Sequence, residues 1–150
     1  MPNMEQDEAR GRFTTASVAR LATVDPEGRP HLVPVVFAAS GDEIVTAVDG
    51  KPKRSRGLKR LHNISVRPAV CLLADEYDGD WDRLWWVRAD GGARIVPADA
   101  PDEASRAEYA EAVEQLRQKY AQYRKEPPTG PVIVITVLHW SGWRAVPGDG

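Results

Sequence analysis

The stretch Ala19-Arg-Leu-Ala-Thr-Val-Asp-Pro-Glu-Gly-Arg-Pro-His-Leu-Val-Pro-Val35 decides the fold. Two apolar-rich runs, Val18 to Val24 and His31 to Ala39, flank Asp25-Pro26-Glu27-Gly28, where Pro and Gly fall where a tight turn requires them. A connection that short joins antiparallel strands. Pro34 has no N–H to give to a ladder, so the second run is predicted at a sheet edge or with a bulge.

Working outward, Gly41-Asp42 turns the chain into a third strand, Glu43 to Val48. Residues 5 to 18 read as an amphipathic helix on Ala9, Phe13 and Ala16. After a loop at Asp49-Gly50-Lys51-Pro52, the spacing of Leu58 and Leu61 predicts a helix from Ser55 to His62, with Ser55 as N-cap. Arg67-Pro68 ends that region. Ala69 to Ala74 is a strand, and Asp75 to Asp82 an acidic loop. Leu84 to Ala89 and Ala93 to Val96 are expected to form a hairpin around Asp90-Gly91-Gly92. Asp99 to Tyr123 reads as one helix, with Asp99 and Asp102 in a capping-box arrangement and Pro101 in the first turn. Val132 to Leu138 has no polar face, so both sides need cover, one from the barrel interior and the other from a helix or a partner subunit. A two-fold homodimer supplies such a cover. His139 to Val146 continues as a strand or extended tail. Six or seven short strands joined by short turns predict a closed or partly closed barrel, mainly β with flanking helices. One domain over 1–150 is expected, with 1–11 flexible.

Composition narrows the function. A formal charge of −2 gives no global pull toward nucleic acid or anionic membrane. Cys71 is the only cysteine, so no internal disulfide forms, which suits a reducing compartment. The N-terminus MPNMEQDEARGR lacks the apolar core of a signal peptide, and the Val132–Leu138 run is too short to span a bilayer as a helix. The expectation is a soluble cytoplasmic protein with no membrane or nucleic-acid partner.

Lys51-Pro-Lys-Arg-Ser-Arg-Gly-Leu-Lys-Arg60 holds six basic residues and no acid, between a strand and a helix. Helix N-termini favour anions, and Lys or Arg beside them adds to the preference. A phosphate or carboxylate-rich ligand fits the run, and so does a solvated basic face. Five tryptophans, at 81, 85, 86, 140 and 143, can wall a planar heterocycle or fill the core. The acidic loop lacks the ligand spacing of an EF-hand. His31, His62 and His139 have no partners at metal-ligand spacing, so no metal is expected. No nucleophile or acid–base pair stands out, and any demanding chemistry is expected from a cofactor.

The 19–35 hairpin resembles the first hairpin of the pyridoxamine-phosphate-oxidase-like superfamily of flavin and deazaflavin oxidoreductases. Thr46, Lys51, Lys53, the Leu58-Lys-Arg-Leu61 helix and Arg67-Pro68 match its next block. The run Asp80-Trp-Asp-Arg-Leu-Trp-Trp-Val-Arg-Ala89 resembles a branch of F420-dependent enzymes. The likeness covers roughly residues 12 to 146. It implies a split β-barrel of the FMN-binding-protein type, a homodimer with two cofactor sites at its interface. It also implies that Lys51 and Lys53 hold the cofactor phosphate, with Thr46 on the strand leading to them. The strand at Val33, Pro34 and Val35 would lie against the ring system, and Trp140 would close the site. Arg56 is added on charge and proximity. The implied cofactor is F420, with FMN as the alternative. The implied activity is hydride transfer between reduced deazaflavin and an unsaturated small molecule; a non-catalytic carrier is the other reading. The chain lacks the C-terminal Arg-x-His of the vitamin B6 oxidases, since Arg144 is followed by Ala145 and Val146.

Overall fold

The computed structural model describes residues 3–48 and 54–146, with side chains from 59 onward in the second segment. Helix α1 (Gln6–Thr15) leads into strands β1 (Ala19–Val24), β2 (Pro30–Val35), β3 (Ala38–Ser40) and β4 (Glu43–Ala47). Helix α2 (Arg54–Val66) follows, then β5 (Ala69–Glu76) and β6 (Trp85–Val96). Helices α3 (Glu103–Lys119) and α4 (Ala121–Lys125) precede the last strand, β7 (Val132–Arg144). Residues 6–11, assigned to a flexible segment from the sequence, lie in α1, where Ala9 is fully buried beside Phe13.

All strand pairs are antiparallel, in the order β2-β1-β5-β6-β7-β4-β3. The two edge strands, β2 and β3, are consecutive in the chain, separated only by Val36 and Phe37. A sheet whose opposite edges are joined by two residues must curl until those edges meet. That geometry makes the barrel, and Val36-Phe37 is its seam. Inside lie Phe13, Leu21, Phe37, Leu72, Val87, Ile133 and Ile135.

The β1–β2 turn forms as its residues require. Asp25 Oδ1 accepts the N–H groups of Glu27 (3.0 Å) and Arg29 (2.8 Å), and Gly28 adopts a φ of 85°, which a Cβ would oppose. These two N–H donors hold the Asp25 carboxyl below its usual range against the opposing effect of burial.

Three elements depart from the sequence expectation. The predicted 31–39 strand breaks at the seam into β2 and β3. The predicted hairpin over 84–96 is instead one strand, β6, paired along its whole length with β7. Gly91 does not turn the chain there. A Cβ on it would collide with the Thr136 carbonyl oxygen, so the glycine permits close approach of β6 and β7. Beside it the register shifts: Gly91 faces Val137 and Asp90 faces His139, leaving Leu138 as the extra residue of a β-bulge. The predicted 99–123 helix is two helices. Asp102, not Asp99, caps α3 by accepting the Ser105 N–H at 2.9 Å, and Tyr120 breaks the helix with extended φ −120° and ψ 122°. Of the two covers expected for the second side of β7, a helix supplies it: Ala112 and Leu116 of α3 pack on Val45, Val132 and Val134. A same-chain helix removes that strand's argument for a partner subunit. Burying a side chain such as Leu116 contributes about 1.5–3 kcal/mol.

Candidate cofactor groove

At the seam the strand ladder is interrupted, and side chains take over the backbone hydrogen bonds. The Thr46 hydroxyl, buried on β4, donates to the Val36 carbonyl at 2.8 Å. The Phe37 N–H donates to the Tyr120 phenol oxygen at 3.1 Å. The phenol's own proton is shared between the carbonyls of Ser17 and Phe37, both at 2.8 Å. Buried backbone polar groups need such partners wherever no neighbouring strand supplies them.

A groove of about 750 Å³ opens along this seam, within the size range of small-molecule sites. Pro34, Val35 and Val36 form one wall, and Thr46 and Ala47 stand beside them. Gln122, Tyr123 and Lys125 of α4, with the turn at 126–129, form another. Arg60 reaches it from α2.

Arg60 is half-buried, and among the described residues its Nε has no hydrogen-bond partner and its guanidinium no ion pair. Burial pushes its pKa down from the usual value, yet an arginine stays protonated. His31, on β2, has a buried Nδ1 without a partner. Burial, then the nearby Lys59 and Arg60 cations, lower its pKa and disfavour its cationic form, and an imidazole in either form offers Arg60 no counter-charge. The groove's one acidic lining residue, Glu126, makes no ion pair with Arg60, and a desolvated cation left so favours an anionic ligand.

The structure brings Pro34, Val35 and Thr46 together in this groove. Val33 packs just below it, against the core. Lys51 and Lys53 lie outside the described residues, as does the side chain of Arg56. Trp140 does not join them within the chain. Its ring is buried edge-on against Phe13 at 5.4 Å, and its Nε1–H donates to Asp42 Oδ1 at 2.9 Å. That hydrogen bond, with Arg10 alongside, keeps the Asp42 carboxyl below its usual range despite burial. The bulge is the physical reason: Ile133, Ile135 and Val137 point inward, and the extra Leu138 switches the parity so that Trp140 points inward too. Sequence reasoning missed Arg60. The available signal was helical spacing, since 56 and 60 are one turn apart on α2.

The family described as pyridoxamine 5′-phosphate oxidase matches residues 6–144. The chain belongs to this family. No curated protein matches it in sequence. Among solved structures it is similar to a conserved hypothetical protein of Mycobacterium tuberculosis, with 20% identity, 95% of this chain and 86% of that one covered, and a TM-score of 0.72. An FAD-binding protein of Mesorhizobium loti has 19% identity over 93% of this chain and 94% of its own, with a TM-score of 0.69. The haem storage protein HutZ of Vibrio cholerae has 15% identity over 94% and 95%, with a TM-score of 0.66. The pyridoxamine 5′-phosphate oxidase family and these folds agree with the split barrel, mainly β with flanking helices. No helix among the described residues is long and apolar enough to cross a membrane.

Proposed function

We propose that the seam groove binds a flavin-type cofactor, with F420 favoured over FMN, and that the chain is an oxidoreductase acting on an unsaturated small molecule. The observation that carries this reading is Arg60: a half-buried guanidinium whose Nε has no partner among the described residues, on a groove of cofactor size. Its chemistry suits a phosphate. The basic run in which it stands favours the more anionic tail of F420 over the single phosphate of FMN. Lys51 and Lys53 would add charge at the same end, and Arg56 with them.

Reduced F420 held in this groove would supply the hydride chemistry for an organic acceptor. The chain's part is to bind and orient. Arg60 holds the anionic end. Pro34, Val35 and Val36 offer an apolar wall for a planar ring, and α4 with the 126–129 turn narrows the other side and limits water. A homodimer belongs to this reading. Register places Leu32, Ala22, Cys71, Asp90 and His139 in one cross-strand row; Leu32 at its β2 end is 65% exposed, and Leu138, next to His139 at its β7 end, is 80% exposed. Exposed apolar side chains at the two ends of such a row suit a second copy.

The test is a titration with oxidised F420, FMN and FAD by fluorescence and with haem by absorbance, followed by hydride transfer from reduced F420 to an activated alkene. Tight F420 binding with turnover is the expected result. Preference for FMN or FAD moves the assignment to a flavin enzyme. F420 binding without transfer leaves a carrier. Preference for haem, or binding of none, refutes the proposal.

A further inference from the structure

Resting on that reading, we infer that Tyr120 is the positioning residue of the groove: its hydroxyl fixes the strand bend at 35–37 in register with the α4 wall. Two breaks in regular structure meet at this side chain. One is the seam between β2 and β3. The other is the break between α3 and α4, at Tyr120 itself. The backbone N–H of Tyr120 closes α3 on the Leu116 carbonyl at 3.0 Å, and its own carbonyl accepts the N–H groups of Tyr123 (3.1 Å) and Arg124 (3.3 Å), which starts α4. The side chain then crosses to Phe37 and Ser17. Its ring stands edge-on to Tyr123, with centroids 5.9 Å apart, and Tyr123 lines the groove.

The two walls are therefore joined through one residue. Residues 34–36 are anchored at Val36 by Thr46 and at Phe37 by Tyr120, while the other wall begins at the residue after Tyr120. A shift of the phenol moves both walls relative to each other, and with them the distance available to a planar ring. Burial raises the phenol's pKa, which keeps it a neutral donor and acceptor through the physiological range.

Lys119, the neighbouring residue, provides the control. It also ties α3 to α1, donating to the carbonyls of Ala16 (2.6 Å) and Thr14 (3.3 Å), but it does not line the groove. The experiment compares Tyr120→Phe, which keeps the ring and removes the hydroxyl, with Lys119→Met, using FMN and F420 as probes. Tyr120→Phe is expected to weaken binding about 10-fold and to shift the visible absorption band of the bound FMN, because it strands a buried N–H and frees the bend. Lys119→Met is expected to lower thermal stability and leave that band in place. A second reading needs no variant: in the wild-type protein the Phe37 amide should exchange at least about 10-fold more slowly with FMN bound. Equal affinity losses in both variants with an unmoved band, or Phe37 exchange unaffected by FMN, overturn the positioning role alone. A wild-type protein that binds neither probe overturns the functional reading with it.

Discussion

Arg60 on α2 and Lys119 on α3 are both half-buried cations at the same strand bend, and their surroundings differ in kind. Lys119 Nζ sits 3.8 Å from the centre of the Phe37 ring and donates to two carbonyls at the end of α1, where the helix dipole favours positive charge. Arg60 has a groove in front of it and, among the described residues, no partner for its Nε. A cation whose N–H donors the fold has already paired is a structural tie. A cation left desolvated and unsatisfied costs stability in the free protein, and a ligand that supplies the anion recovers it. On the proposed function, the contrast separates a residue that holds the barrel together from one that would hold a cofactor.

The largest effect expected from this contrast is on binding. Arg60→Glu should weaken F420 and FMN binding by at least about 100-fold, read by fluorescence titration, since it replaces a charge-assisted contact with repulsion. Lys119→Met should leave that affinity within about 3-fold but lower unfolding stability by about 1–3 kcal/mol in urea, because two carbonyls lose their donor. A large binding loss in the lysine variant would erase the distinction.

The next effect is a pH dependence. The carbonyls and the ring favour the Lys119 cation, but burial opposes it and wins, lowering its pKa to about 8. The unfolded side chain titrates near about 10.4. Between these values the unfolded state binds more protons, so this group makes stability rise with pH from about 8 to about 10.4. The urea midpoint of wild type minus that of Lys119→Met should therefore grow across that window; a flat difference contradicts the assignment. Smallest is the effect of Arg60→Met on the free protein, which should be neutral or stabilising by up to about 1 kcal/mol, because no partner is lost. A clear loss of stability would mean that Arg60 is a structural tie like Lys119.

Much of the fold was legible in the chain because local chemistry and global topology agree there. Asp25, Pro26 and Gly28 require a turn, and the apolar runs around them pair as read. The errors arose where one residue type serves two purposes. Gly91-Gly92 carries the signature of a hairpin tip, but the same lack of a side chain serves close strand approach at a bulge. The bulge in turn reverses the facing of the last strand, which no alternation count over 132–146 reveals, and this takes Trp140 into the core. A two-faced apolar strand announces that it needs cover, but not whether α3 or a second copy supplies it. In the groove, Pro34, Val35 and Thr46 were readable from the family resemblance. Arg60 was visible only as one charge among six, because which face of α2 meets the seam is set by tertiary packing. Tyr120 gave no signal at all beyond one more apolar position on a helix.

The most direct test measures what the cofactor phosphate contributes in the presence and absence of Arg60. FMN and riboflavin differ by that phosphate alone, so their affinity ratio in wild type and in Arg60→Ala isolates the contact. Wild-type protein should prefer FMN by about 10- to 100-fold, and Arg60→Ala should lose most of that preference, keeping only what Lys51, Lys53 and Arg56 supply. The same preference for FMN in both proteins would show that the phosphate is held elsewhere and would contradict the assignment of Arg60 and its groove.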